Sequence, residues 1–185
     1  MPEIRIYSKK QRIPKDLSII KIDDYPGLDP VNIGPLNLYK GWRSNNLHNA
    51  WEYSKVYKEY TSNGQPTQAY WDWASKGWDS DKPAKVSKKK YMYHVWDGAK
   101  YGIIEARKRI FASIYIKSIF DTKDYAELRN AVNNCNKTVA IVASQSLDYK
   151  KSSLTEALFS PDKEFGYAFL LVMMIAKDQS LMDIP

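Results

Sequence analysis

The stretch SNNLHNAWEYSKVYKEY, Ser44 to Tyr60, holds one of the chain's two histidines, a tryptophan, three tyrosines, two glutamates and two lysines. On a helix, positions i, i+4, i+7 and i+11 share a face. The spacing therefore predicts a stripe of His48, Glu52, Lys55 and Glu59, with Ala50, Tyr53, Tyr57 and Tyr60 opposite it. A carboxylate, an imidazole and an ammonium on one rigid element are the parts of an acid–base site. The same spacing also describes a solvated face of i,i+4 pairs over a buried aromatic face. Both readings need the same pattern, so periodicity leaves them open. Trp51 borders the stripe and is placed to act as a stacking plate.

Other chemistry-bearing patterns are sparse. The chain has no GxGxxG, no P-loop, no CxxC and no HExxH. Two histidines and one cysteine do not supply a transition-metal cage, so no metal or other cofactor is expected. The residue types of a Ser-His-Asp triad exist, but no spacing links them. KPAKVSKKK puts five lysines in nine residues, Lys82, Lys85 and Lys88 to Lys90, just before YMYHVW. Basic residues beside aromatics suit single-stranded nucleic acid, and a lysine-rich loop is equally an ordinary solvated loop. Weak, non-specific nucleic-acid binding at low salt is the expectation. In IIEARKRIF, Glu105 and Arg109 are spaced as an i,i+4 pair. Arg107 falls on the apolar side with Ile103 and Ile110, and a semi-buried guanidinium needs an anion from the protein or a ligand.

The chain that must position these groups has 185 residues, enough for one domain with a core. Apolar residues make up 44%, inside the globular range. The net charge is +7, from 28 basic and 21 acidic side chains, which favours anionic partners. Six Trp and fourteen Tyr are more rings than a core of this size asks for, so some should line a pocket or surface. The lone Cys135 excludes an internal disulfide and fits a reducing compartment. MPEIRIYSKK is charged at once and does not read as a signal peptide. FGYAFLLVMMIA, Phe165 to Ala176, is too short to span a bilayer and reads as a buried helix. A cytoplasmic protein with no membrane partner is expected.

Strands are expected at 3–8 and 17–23. The Pro- and Gly-rich 24–35 reads as loop, Ser44 or Asn45 as the cap of the Ser44–Tyr60 helix, and SNGQPTQ as its end. A short helix at 68–78 should stop at Gly77, followed by a polar loop over 79–90. A helical period runs through Ile103, Ile104, Arg107, Ile110, Phe111 and Ile114. Asp121 or Thr122 should cap the helix after it. KTVAIVAS, 137–144, is apolar on both faces and reads as a central strand. The segment SSLTEALFS reads as a helical turn or two. The order predicts an α+β fold, mainly helical, as a single domain over 1–185 with a small sheet.

LHNAWEYSKVYKEY resembles a segment of a phage and bacterial family, approximately Ser-Val-Glu-Asn-Ala-Trp-Gln-Tyr-Ser-Lys-Val-Tyr. That family in turn resembles the NADAR superfamily, whose helix carries Glu, then Gln four residues on, then Lys three further. Here those places fall on His48, Glu52 and Lys55. PTQAYWDWASKGW, YMYHVWDG, IIEARKRIFASIY and FGYAFLLVMMI follow in the family's order, so the resemblance covers roughly 33–177. It implies a NADAR-like, largely helical α+β fold and cleavage of N-glycosidic bonds, as in ADP-ribosylated bases and riboflavin-pathway intermediates. It implies a nucleotide or ADP-ribose-like ligand, with Glu52, Lys55 and His48 at the reacting bond. Trp51 or Trp96 would stack on a base, and Arg107 or Arg43 would hold phosphate. The chain departs from the family at His48, at Tyr167, where relatives carry His, and at ASQSLDY, which leaves only Asp148 of an Asp-rich segment. Loss of those acids suits a second reading: a phage-type binder that sequesters a nucleotide signal, or inhibits a host protein, in the host cytoplasm. A basic nucleic-acid-binding protein is the third.

Overall fold

The computed structural model describes residues 2–144 and 153–185, and Asp148 lies outside them. The strands are β1 (Ile4–Ser8), β2 (Ser18–Lys21), β3 (Leu36–Asn37), β4 (Arg43–Ser44), β5 (Lys55–Val56), β6 (Thr61–Ser62), β7 (Gln65–Pro66), β8 (Tyr93–Trp96), β9 (Ala99–Tyr101) and β10 (Val139–Ala143). The helices are α1 (Leu47–Glu52), α2 (Gln68–Trp78), α3 (Ile103–Ala106), α4 (Ser113–Ile119), α5 (Lys123–Asn133), α6 (Leu154–Phe159) and α7 (Tyr167–Ala176). A π-helical turn, Arg107–Ala112, joins α3 to α4. Helices and small sheets together make an α+β fold. The chain groups into two compact units, Met1–Asp29 with Tyr115–Pro185, and Pro30–Ile114.

In the first unit the sheet order is β1-β10-β2, all parallel. All five residues of β10 are buried, as a central strand apolar on both faces requires. α7 packs against β1 and buries Ala168 to Ile175, so the apolar run is a core helix. It stops at Lys177, which takes the left-handed conformation with φ 53° and donates its N–H to Met173 and Met174 carbonyls. Thr122 caps α5, accepting from the Tyr125 N–H, and a Ser153–Glu156 capping box starts α6.

The second unit is built on rings. Tyr39, Val56, Tyr70, Ala74, Trp78 and Val95 form its buried cluster, with Trp73 and Trp96 packed on it. The antiparallel sheet β5-β8-β9 runs beside them. Two hairpins absent from the sequence expectations appear here. Asp97 and Gly98 (φ 46° and 80°) join β8 to β9, and Asn63 and Gly64 (φ 50° and 73°) join β6 to β7. Both are Asx-Gly pairs with positive φ at each central residue, the turn that matches strand twist.

The Ser44–Tyr60 helix is corrected by the structure. α1 spans only Leu47–Glu52. It starts one residue late, with Asn46 accepting the Asn49 N–H at 2.8 Å. It ends because the Ser54 hydroxyl takes the Trp51 carbonyl at 2.7 Å, and Lys55–Val56 then pairs with β8. Sheet pairing and a side-chain bond to the backbone outweigh the helical period. Glu59 therefore leaves the stripe and sits in a separate 3-10 turn, Lys58–Tyr60. Gly77 does not stop α2, which continues to Trp78. A Cβ at Gly77 would meet the Tyr53 ring at 2.2 Å, so glycine is required for the approach of that ring. The expected plain helix after Tyr101 is interrupted by the π turn, which buries Arg107, Ile110, Phe111 and Ala112 together.

Candidate functional site

Glu52 ends α1 and Lys55 begins β5, three residues apart across the helix-to-strand turn. That turn brings Lys55 Nζ to 2.5 Å from Glu52 Oε1, with both side chains about nine-tenths buried. Glu52 is the one buried carboxylate among the described residues. Lys55 Nζ also lies 5.7 Å from the ring centroids of both Trp51 and Tyr91. A desolvated ammonium between two π-faces gains more from them than an exposed one would.

Behind this pair lies His94, on β8 and fully buried. Its ring stacks on Trp51 at 4.3 Å, and Tyr91 meets it edge-on at 4.8 Å. His94 Nδ1 lies 2.8 Å from Ser54 Oγ. The Ser54 hydroxyl hydrogen is already committed to the Trp51 carbonyl. Ser54 can then only accept, so the neutral imidazole carries its proton on Nδ1 and donates it. Nε2 is left as a bare acceptor with no hydrogen-bond partner. Burial, followed by the Lys55 and Arg107 charges, pushes the imidazole down to about 3. Arg107, from the π turn, is itself buried, and desolvation lowers its pKa while Tyr91 opposes that.

Glu52 also faces a cavity of about 400 Å³. Tyr53, Tyr57, Tyr60 and Trp73 supply its rings, and Lys82, Lys85 and Lys89 supply cations from the loop before β8. Tyr60 and Trp73 are stacked, 5.1 Å apart at 23°. Burial pushes the Tyr57 hydroxyl up, a hydrogen bond to Ser87 pulls it down, and Glu52 and Glu59 push it further up. A volume of this size, lined by rings and charged side chains, is within the range of small-molecule sites, about 300–1,000 Å³.

The expected site residues fall in different places. Glu52 lines the cavity, and Lys55 reaches it only through the Glu52 carboxylate. His48 Nε2 is 2.8 Å from the Ala84 carbonyl, which can only accept, so the ring tethers the lysine loop. Trp51 stacks on His94, and Arg107 interacts with His94 and Tyr91; both belong to the layer behind Glu52. Trp96 packs edge-on against Tyr39 at 4.9 Å in the aromatic cluster. Arg43 is exposed in the β3–β4 pair. Neither Trp96 nor Arg43 lines the cavity. Glu59 does line it, although it left the helical stripe. Tyr167 belongs to the first unit, its ring 6.1 Å from that of Tyr115.

Sequence reasoning missed His94 and Tyr91 as members of the site, and Trp73 as a wall of the cavity. The Asp97–Gly98 turn was the usable signal. It fixes a hairpin, and the register His94↔Lys55 then places the imidazole beside the pair. Nothing local marked Trp73. Among the described residues no group of three or more His, Cys, Asp or Glu could hold a metal ion. No helix among them is long and apolar enough to cross a membrane. No family model, no curated protein and no solved structure matches this chain.

Proposed function

We propose that the cavity binds a phosphorylated nucleoside of the ADP-ribose type and that Glu52 promotes hydrolysis of its N-glycosidic bond. One observation supports this best. A buried carboxylate, four aromatic side chains and three lysines line the same cavity of about 400 Å³. Rings accept a base by stacking, and lysines accept phosphate as point charges. Cleavage passes through an oxocarbenium-like ribosyl centre, which an adjacent carboxylate stabilises. In the reaction Glu52 takes a proton from the attacking water as the C1′–O bond forms. The C1′–N bond breaks, its electron pair leaves with the base, the base takes a proton from bulk water, and Glu52 releases its own to bulk water. For an ADP-ribosylated nucleobase the products are the free base and ADP-ribose.

A second reading, a binder without turnover, has its own observation. Lys55 sits 2.5 Å from Glu52 and offsets the charge that would stabilise a ribosyl cation. The two readings separate on Glu52→Gln. It keeps an oxygen for the Lys55 ammonium and removes the charge. Under the hydrolytic reading, release of free base from an ADP-ribosylated nucleobase falls by about 10²-fold or more, with little change in affinity. The measurement is chromatography of the products together with ligand titration. If the wild-type protein binds the ligand and returns it intact after long incubation, the hydrolytic reading fails and the binder stands.

A further inference from the structure

The loop that carries the cavity lysines is held at two ends by different means. At its start, Asn49 is fully buried and its Nδ2 lies 3.1, 2.9 and 3.1 Å from the carbonyls of Gly77, Ser80 and Lys82. Asn49 Oδ1 accepts the Ala84 N–H at 2.8 Å, and His48 holds the Ala84 carbonyl. That end is pinned by neutral, buried and part-buried hydrogen bonds. The other end is held by charge. Lys89 Nζ lies 2.7 Å from Glu59 Oε1, with side-chain exposures of 72% and 48%. Both residues line the cavity, so this ion pair lies within the ligand site itself. The pair raises the Lys89 pKa and lowers that of Glu59, each chiefly through their mutual hydrogen bond.

We infer that Glu59 is a specificity residue: it occupies Lys89 as an internal competitor, and a ligand's second phosphate displaces it. This rests on the nucleotide reading given above. Lys82 and Lys85 have no carboxylate within ion-pair distance among the described residues, so a first phosphate meets two uncommitted ammonium groups. A further phosphate that reaches the third cation, Lys89, competes with Glu59 for that ammonium. The released carboxylate is half exposed and turns to water. The site therefore charges an entry cost for the second phosphate and none for the first. A pyrophosphate ligand, with two linked anionic groups for three lysines, still enters by displacing Glu59, but the pair narrows its advantage over a nucleoside monophosphate.

Salt adds an independent signature. In the wild type, binding exchanges one exposed ion pair for another. Without the Glu59 charge, the same binding is a net gain of an ion pair and depends more steeply on salt.

The test is calorimetric titration of adenosine, AMP and ADP-ribose into wild type, Glu59→Gln, Lys89→Gln and the double variant. Glu59→Gln should bind ADP-ribose about two- to fivefold more tightly, the range expected for removing an exposed competing pair. AMP and adenosine should be unchanged, and the double variant should gain nothing over Lys89→Gln. The ADP-ribose affinity of Glu59→Gln should fall more steeply between low and physiological salt than that of the wild type. An ADP-ribose affinity unaffected by Glu59→Gln, or a gain shared equally by AMP or adenosine, overturns the inference and leaves the nucleotide reading standing. Absence of binding by all three ligands to every variant overturns both.

Discussion

Replacing Glu52 by Leu is expected to lower the unfolding free energy by about 3–5 kcal/mol. The reason is the partner left behind. Lys55 is buried, its ammonium is 2.5 Å from the Glu52 oxygen, and two π-faces replace water around it. Without the carboxylate it is an uncompensated charge in a low-dielectric site. The reciprocal change, Lys55→Met, strands the carboxylate and carries a cost of the same size. Removing both is different. Glu52→Leu with Lys55→Met relieves both desolvation terms, and such replacements of buried pairs are often neutral or stabilising. Urea unfolding of the four proteins at pH 7 gives the coupling directly. The expected double variant lies well above the sum of the single losses. Additive losses would show that the two side chains are not acting as a buried pair.

Acid should unfold this protein through His94, and the sign follows from its low pKa. The imidazole is held at about 3 in the folded chain, first by burial and then by Lys55 and Arg107. In the unfolded chain it returns to about 6.5. The folded pKa is the lower of the two, so below pH 6.5 the unfolded state binds the extra proton. Stability is fully present above that pH and falls as pH drops toward 3. The loss from this one group is on the order of 4 kcal/mol by pH 3. Carboxylates elsewhere add their own acid dependence, so the informative quantity is a difference. His94→Phe keeps a flat ring against Trp51 and removes the titration. The Ser54 hydroxyl keeps its bond to the Trp51 carbonyl. Urea unfolding across pH 7 to 3 should show a flatter acid limb for the variant. Parallel limbs for the two proteins would contradict the burial of a neutral imidazole at this position.

Much of the first unit was legible because each element there follows its local pattern. KTVAIVAS carries apolar residues on both faces, and only a central strand buries both. FGYAFLLVMMIA is apolar all round, and only a core position buries that surface. The Ser44–Tyr60 segment failed for a physical reason. Its helical period is real as far as Glu52, but its second half is claimed by a strand whose Lys55 pairs with His94, far along the chain. A long-range pairing leaves no trace in a local period. The Asn63–Gly64 and Asp97–Gly98 turns were readable, and they mark the two hairpins.

The candidate site divides the same way. Glu52 and Lys55 were found by spacing, and they do meet, but across a helix-to-strand turn. Glu59 was placed on their stripe by a helix that does not exist, yet it lines the same cavity by another route. His94 was hidden because its meaning depends on three groups from separate elements: Ser54, Lys55 and Arg107. Arg43 and Trp96 entered through the family resemblance, and neither lines this cavity.

The claim that the cavity takes a phosphorylated nucleoside is tested most directly by titrating ADP-ribose into the wild-type protein and into Lys82→Gln/Lys85→Gln, with unfolding followed in parallel. Both lysines line the cavity wall. The wild type should bind saturably at one site. At a free ligand concentration of 100 times Kd it should gain about 2.7 kcal/mol of stability. The double variant should keep the unliganded stability, because both lysines are surface groups, and lose about tenfold or more in affinity. A folded wild-type protein that shows neither saturable heat nor stabilisation with ADP-ribose would contradict the account.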